Sequence, residues 1–288
     1  MKTLTPEWVW DAVFYMILPD RFARKIPETE SWDPSAFENW DALPSLRAYK
    51  GGNLAGIRDK LSYLSELGIT ALYLTPIFTS PTYHRYKPVN FYEVDPLLGG
   101  NEEFERLIEE AHSRDIRIVL DAVFNHVGIA FPQFHDVVEY GATSPWKNWF
   151  HVESFPVNPY EQLKPRNFRG WDQNRTMPEL NHQNPEVREF ILKVAEHWVR
   201  KGIDGWRFDH PQNMNTPGFW EEMRTRLKRI NPDVYLLGEL WTDASQYLDG
   251  TKWDGVMNYP MMGAIHRFVA GTKMKNEYLL EGARNQTG

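Results

Sequence analysis

Gly205-Trp206-Arg207-Phe208-Asp209 and, further along the chain, Val234-Tyr235-Leu236-Leu237-Gly238-Glu239-Leu240-Trp241 are two short apolar runs, each carrying an acid at its end. Both read as buried strands. Between them Phe219, Met223, Leu227 and Ile230 recur at helical spacing, so the unit is strand, helix, strand, with Asp209 and Glu239 at the same ends of neighbouring parallel strands. Polar groups delivered to the C-terminal ends of parallel strands are what an α/β barrel uses for its chemistry.

Two carboxyl groups on adjacent strand ends fall about 5 Å apart, the separation that suits a nucleophile and an acid/base acting on a glycosidic bond. Arg207 precedes Asp209 by two residues and therefore lies on the same side of the strand, where its charge is expected to keep Asp209 ionised. No Lys or Arg occurs between positions 234 and 244, and Trp241 shares a face with Glu239, so Glu239 is expected to hold a proton near neutral pH. Taken alone, Arg-x-Asp on a strand also describes a structural ion pair. The rest of the chain has to decide.

Upstream, the same rhythm recurs. Phe14 to Pro19 reads as a first buried strand ending in Asp20-Arg21-Phe22, and the polar stretch from Ala23 to Lys50 as a long loop. Leu54, Ile57, Leu61, Leu64 and Leu67 mark a helix stopped by Gly68, and Ala71 to Pro76 a second strand. A ring-rich loop, Pro81-Thr82-Tyr83-His84-Arg85-Tyr86-Lys87-Pro88, follows it. A helix over Asn101–Asp115, with Phe104, Leu107 and Ile108 inward, leads into a third strand, Ile116 to His126, again ending in polar groups. Residues 127–182, rich in Trp, Pro, Asn and His, have no clear period and are too long for a plain connection, so they read as an inserted subdomain walling the cleft. Of the indoles there, Trp146, Trp149 and Trp171 read as that insert's own small core, with room for one to face a ligand. Asn184-Pro185 starts the next helix, with Phe190, Ile191, Val194 and Trp198 on its buried face; Trp253 to Pro260 reads as a sixth strand, backed by a helix carrying Ile265, Phe268 and Val269. The fold class is α/β, of the (β/α)8 TIM-barrel type but incomplete, with about six strands: 1–126 the first part, 127–182 the insert, 183–288 the barrel continued. Six strands leave the first and last with unpaired edges.

Composition narrows the function. Net charge is −7 over 288 residues, with 42% hydrophobic and 25% charged, an ordinary globular balance with no basic footprint for nucleic acid or an anionic membrane. The 12 Trp suit contacts with the apolar faces of sugar rings. Lack of Cys excludes disulfides and thiolate metal sites. The N-terminus shows no apolar run of signal length and nothing reaches the roughly 18 residues of a membrane span, so the expected location is the cytoplasm.

Together these residues resemble the α-amylase superfamily, glycoside hydrolase family 13, and within it the neopullulanase and cyclomaltodextrinase group. Asp121-Ala122-Val123-Phe124-Asn125-His126 resembles the family's first signature, Gly205 to Asp209 its second, Gly238-Glu239-Leu240-Trp241 its third, and Met177-Pro178-Glu179-Leu180-Asn181 the motif that closes inserted domain B. The resemblance implies a retaining hydrolase of O-glycosyl bonds in α-glucans, maltooligosaccharides or cyclodextrins: Asp209 as nucleophile, Glu239 as acid/base, Arg207 holding the nucleophile, and water or a second sugar resolving the intermediate. It also implies sugar contacts by Tyr86, His84, Asp121 and His126, an aromatic on the leaving-group side at Trp241, and at Asn125 either a structural calcium ligand or a loop-fixing amide; no cofactor is required.

The chain departs from the family at several points. Lys87 stands where Asp is usual, and His210-Pro211-Gln212-Asn213 ends in Asn213 where Glu or His is usual. Asn53 replaces the Asp of a Gly-Gly-Asp calcium position, so that N-terminal calcium site is expected to be weak or missing. The group's N-terminal domain and its fourth signature, which supplies a third catalytic carboxylate, are not in the chain, so the resemblance implies a C-terminally truncated catalytic domain of low activity by itself. Two other readings compete: a metal-dependent barrel enzyme built on Asn125, His126, Asp209 and Glu239, and a non-catalytic glucan-binding or transporter-associated protein. The first has one strand-end His and no His-x-His pair. The second commonly lacks one of the two acids, and both are present.

Overall fold

The computed structural model describes residues 5–26, 37–43, 45, 48–161, 166–214 and 216–270. Much of the expected Ala23–Lys50 loop, and residues 271–288 of the last expected division, lie outside them.

Six parallel strands form one curled sheet. In chain order the elements are β1 (Phe14–Ile17), α1 (Pro19–Phe22), α2 (Leu54–Asp59), α3 (Leu61–Glu66), β2 (Ala71–Leu74), β3 (Phe78–Thr79), β4 (Asn90–Val94), α4 (Gly100–His112), β5 (Arg117–Ala122), α5 (Pro132–Tyr140), α6 (Pro185–Arg200), β6 (Gly205–Phe208), α7 (Phe219–Ile230), β7 (Tyr235–Gly238), β8 (Gly255–Val256) and α8 (Tyr259–Ala270). The sheet order β1-β2-β5-β6-β7-β8 follows the sequence, as an unclosed barrel requires, and β3 with β4 forms a separate antiparallel pair. Helices α4, α6 and α7 bury Phe104 and Leu107, Ile191 and Trp198, and Met223 and Leu227 against it. Asn184 caps α6 by accepting the Glu186 N–H at 2.8 Å, with Pro185 at its first position, so the start expected from Asn-Pro is formed.

Close packing behind the last strands requires a glycine. A Cβ on Gly238 would lie 2.5 Å from the Trp253 indole, and Trp253 is buried against β7.

Several local expectations are corrected. The first strand is not buried: Phe14 is 37% and Met16 62% exposed while Ile17 is covered, because among the described residues β1 pairs on one side only. The helix expected over 54–67 is two, broken at Lys60, and Leu67 is exposed. The sixth strand is only Gly255–Val256. Helix α8 follows it, yet Ile265, Phe268 and Val269 face solvent, Phe268 at 89% exposure, because among the described residues no element lies beyond β8 to receive them. Within 127–182, which shows no period in sequence, Pro132–Tyr140 is a helix. Its Phe134 packs on Phe150 and Phe168 at 4.9 and 5.2 Å between ring centroids, continuous with the barrel core. Short bridges, Phe150 with Leu180 and Val152 with Phe168, close that segment.

Asn53 caps α2, its side-chain oxygen accepting the Gly56 N–H at 2.8 Å. Nearby, the Lys50 ammonium donates to the carbonyl oxygens of Asn39 and Ala42 at 2.6 Å each and lies 3.6 Å from the Glu38 carboxylate. A side-chain cation thus already satisfies these oxygens.

Candidate active site

Strand register builds the site. Asp121 on β5 is level with Arg207 on β6, and Arg207 with Leu237 on β7, so on the shared face Arg207 lies beside Asp121 and one step from both Asp209 and Glu239. Its guanidinium spans all three carboxyls, with Nη1 donating to Asp121 at 2.8 Å and to Asp209 at 2.7 Å, and Nη2 2.5 Å from Glu239. All four side chains are nearly inaccessible. Candidate ligand oxygens of Asp209 and Glu239 lie within 4.8 Å of one another.

This arrangement reverses the two environments expected from sequence. Burial and the neighbouring Asp121 charge push Asp209 up to about 8, against the pull of Arg207. Burial would raise Glu239 too, but Arg207, His210 and the donors Tyr259 and Trp241 outweigh it and hold this carboxyl below its ordinary value. The cation near Glu239 comes from the adjacent strand, which is why no count along the sequence finds it. Three carboxyls share one guanidinium, so a fully ionised cluster has excess negative charge, and the site retains a proton into the neutral range.

Asp121 does not line the cavity and lies behind it. It is 1% exposed, and its carboxylate accepts from Tyr73 at 2.5 Å, Tyr86 at 2.9 Å and Arg207, so it orients a ring and a cation. Its burial raises its own pKa against those donors. His126 is likewise enclosed. Its Nε2 lies 2.9 Å from the Tyr86 carbonyl oxygen, which can only accept, so that nitrogen carries the proton; burial holds the ring's pKa down to about 4. It thereby ties the end of β5 to the loop that presents Tyr86. Beneath that loop the buried Arg85 donates to Asp95 at 2.8 Å and to the Tyr83 carbonyl at 2.7 Å. His84, brought down to about 4 by burial and by Lys87, lies 5.9 Å from Tyr86 between ring centroids.

The cavity above the carboxyls holds about 320 Å³ and is lined by His84, Tyr86, His126, Trp171, Met177, Arg207, Asp209, His210 and Glu239. Of the expected site residues it therefore gathers Asp209, Glu239, Arg207, Tyr86, His84 and His126, and leaves Asp121 behind it. Trp241 packs beside the cleft, its ring 5.6 Å from both His210 and Tyr259. His210, Met177 and Tyr259 join the site without being legible as site residues in the sequence. Trp171 is the insert's indole that faces the cleft; Trp149 is buried and bonds Glu186, with Trp146 against it. His210 adjoins the nucleophile candidate in sequence, which was a usable signal. Tyr259 hydroxyl donates to Glu239 at 3.0 Å, a contact supplied by the first residue of α8.

The metal-dependent barrel reading does not fit these residues. Asn125 is buried, its amide nitrogen has no hydrogen-bond partner, and its backbone carbonyl receives the Leu180 N–H at 3.0 Å. Asp209, His210 and Glu239 do converge, but the Arg207 guanidinium already occupies the space between the carboxyls and would repel a cation.

An open α/β barrel with paired strand-end carboxyls, a shared arginine and a ring-lined cleft is a barrel of the TIM type. The chain belongs to the α-amylase catalytic-domain family, whose model matches residues 16–285. It is 45% identical over 268 residues to neopullulanase 2 of Thermoactinomyces vulgaris, covering 92% of this chain and 45% of that protein. It is 42% identical over 267 residues to the intracellular maltogenic amylase of Bacillus subtilis, covering 92% and 44%. Among solved structures, the acarbose-soaked debranching enzyme of Nostoc punctiforme superposes with a TM-score of 0.84 at 51% identity, over 92% of this chain and 57% of that one. The chain thus spans less than half the length of these two curated relatives. Among the described residues no helix is long and apolar enough to cross a membrane.

Proposed function

We propose that these residues cleave α-glucosidic bonds with retention, in α-glucans, maltooligosaccharides or cyclodextrins, Asp209 acting as nucleophile and Glu239 as acid/base. The observation carrying this is the approach of their carboxyl oxygens to within 4.8 Å, at neighbouring strand ends in a ring-lined cavity, a span suited to double displacement. The names of the relatives, neopullulanase and maltogenic amylase, support the substrate class.

In the cycle Glu239 gives its proton to the glycosidic oxygen while Asp209 attacks the anomeric carbon, forming a glycosyl ester and releasing the leaving sugar; water or a second sugar then reverses the proton transfer and cleaves the ester. Productive chemistry places the cluster's retained proton on Glu239. Positive charge developing at the anomeric carbon favours ionised Asp209, and Arg207, bound to both acids, stabilises either arrangement. Tyr86, oriented by Asp121, offers a ring face to the sugar, and the segment 127–182 walls the cleft as inserted domain B. The reaction uses the two carboxyls without a metal. The family's third carboxylate is not among these residues, so turnover by the 288-residue chain is expected to be slow. We place the protein in the cytoplasm, in keeping with the relative named as intracellular.

Incubation with a fluorinated α-glucosyl fluoride, followed by peptide mass analysis, tests the assignment. A glycosyl adduct on the Asp209 peptide, lost in Asp209→Asn, supports it. Glu239→Gln should cut turnover of maltooligosaccharides by about 10²–10⁴-fold while retaining affinity for acarbose. An unchanged rate in Glu239→Gln refutes the acid/base role. Acarbose binding with neither adduct nor turnover supports the glucan-binding alternative instead.

A further inference from the structure

Lys87 follows Tyr86 on the ring-rich loop, and the backbone on both sides of it is tied down. The Tyr86 carbonyl accepts from His126 at 2.9 Å, and the Pro88 carbonyl accepts the Gly128 N–H at 2.9 Å. Between them the start of the insert approaches so closely that a Cβ on Gly128 would lie 2.8 Å from the Lys87 carbonyl oxygen. The contacts that join the end of β5 to the Tyr86 loop therefore also fix where Lys87 sits.

Its charge has no such tie. Arg85, two residues earlier, is paired with Asp95 at 2.8 Å, and Arg207 is shared by three carboxyls. Among the described residues the half-buried Lys87 side chain has neither an ion pair nor a hydrogen bond. Burial acts on it, lowering its pKa, and no carboxylate pulls the other way. Drawing a cation partly out of water with no counter-ion costs stability, and such groups gather where a ligand supplies the missing charge.

The neighbouring cavity gives that charge a target. Lys87 is not itself in the lining, but its charge reaches two side chains that are, helping to bring His84 and His126 down to about 4. Both imidazoles are thus neutral near pH 7, and the wall made by His84, Tyr86 and His126 carries the Lys87 charge uncompensated. Tyr86 also fixes the side of the cleft. Glu239 serves the oxygen of the departing sugar, whereas the Tyr86 ring faces the sugar that Asp209 retains. Three carboxyls around one guanidinium repel an anionic substrate, and a cation beside Tyr86 offsets that repulsion on the retained-sugar side.

We propose that Lys87 makes this side of the cleft a site for an anionic group, a phosphate ester or a carboxylate carried by the non-reducing end of an α-glucan oligosaccharide. The proposal rests on the glucan-cleaving reading above, since the sugar over Tyr86 is the one Asp209 holds.

Calorimetric titration of the 288-residue chain at low salt with three trisaccharides tests it: maltotriose, maltotriose phosphorylated at the 6-hydroxyl of its non-reducing glucose, and the analogue ending there in glucuronic acid. At least one anionic ligand should bind about tenfold or more tightly than maltotriose, with an advantage that shrinks as salt is raised. A gain confined to one of the two identifies the group as phosphate or carboxylate. Lys87→Met should abolish the advantage and keep maltotriose within about twofold, whereas Lys87→Arg should retain most of it. If the wild-type chain binds maltotriose as tightly as both anionic ligands, the proposal is overturned and the glucan reading stands. An advantage that persists in Lys87→Met also overturns it, because another group then supplies the charge. If the wild-type chain binds none of the three, the glucan reading and this proposal fail together.

Discussion

Replacing Arg207 by Met removes the cation shared by Asp121, Asp209 and Glu239, at 2.8, 2.7 and 2.5 Å, and leaves three enclosed carboxyls with no counter-charge among them. Removing one partner of a buried ion pair costs about 3–5 kcal/mol, and the guanidinium is only 5% exposed, so little solvent screening reduces that figure. The loss depends on pH. Asp209 has a folded value of about 8, above the ordinary carboxyl value of an unfolded chain, so the stability from its bound proton is fully present below about pH 4 and is lost as pH rises through 8. Without Arg207 the carboxyls bind protons more tightly still, and the variant loses more on alkalinisation than the wild type does. Urea denaturation at pH 5 and pH 8.5 should give a difference of about 1–2 kcal/mol at the lower pH, mainly missing hydrogen bonds, and about 3–5 kcal/mol at the higher. Thermal midpoints at pH 8.5 should fall by about 10 °C. The same difference at both pH values, or one under about 1 kcal/mol at pH 8.5, would refute the shared-cation account.

Tyr259→Phe deletes the hydroxyl that donates to Glu239 at 3.0 Å and helps keep its pKa low. Glu239 should then hold its proton to higher pH, moving the alkaline limb of the activity profile upward, and a profile unmoved or shifted downward counts against the contact. Lys50→Met removes the ammonium that serves the Asn39 and Ala42 carbonyls and should lower the melting temperature by several degrees, whereas EGTA should leave the wild-type melt unchanged because these oxygens already have that ammonium as partner. A chelator-induced fall in the wild-type melt would show that a metal contributes there after all.

Part of this protein is determined by local sequence. The strand–helix–strand alternation, the cap and proline that start α6, and the acids closing β6 and β7 each depend on a few adjacent residues whose periodicity and backbone preferences act over a single element, and they are formed as read. Other features depend on what lies across space. Helix α5 shows no period in the sequence because its apolar residues pack inward from an insert shared with the barrel core, and β1 reads as buried although among the described residues it lacks a neighbour on one side. The site shows the same division. Asp209, Glu239 and Arg207 are legible as a motif, but the register of three strands brings Arg207 to Glu239 as well and sets the Asp121 charge beside Asp209, and so inverts the two proton affinities inferred along the chain. Distance in sequence says nothing of a charge contributed by the next strand. Likewise Asp121 becomes a hidden support for Tyr86 and Arg207, and His210 and Trp171 meet only when the insert folds over the strand ends. Local chemistry wrote the strands and their acids; tertiary packing, which alone controls burial and cross-strand distance, decided how those acids share their protons.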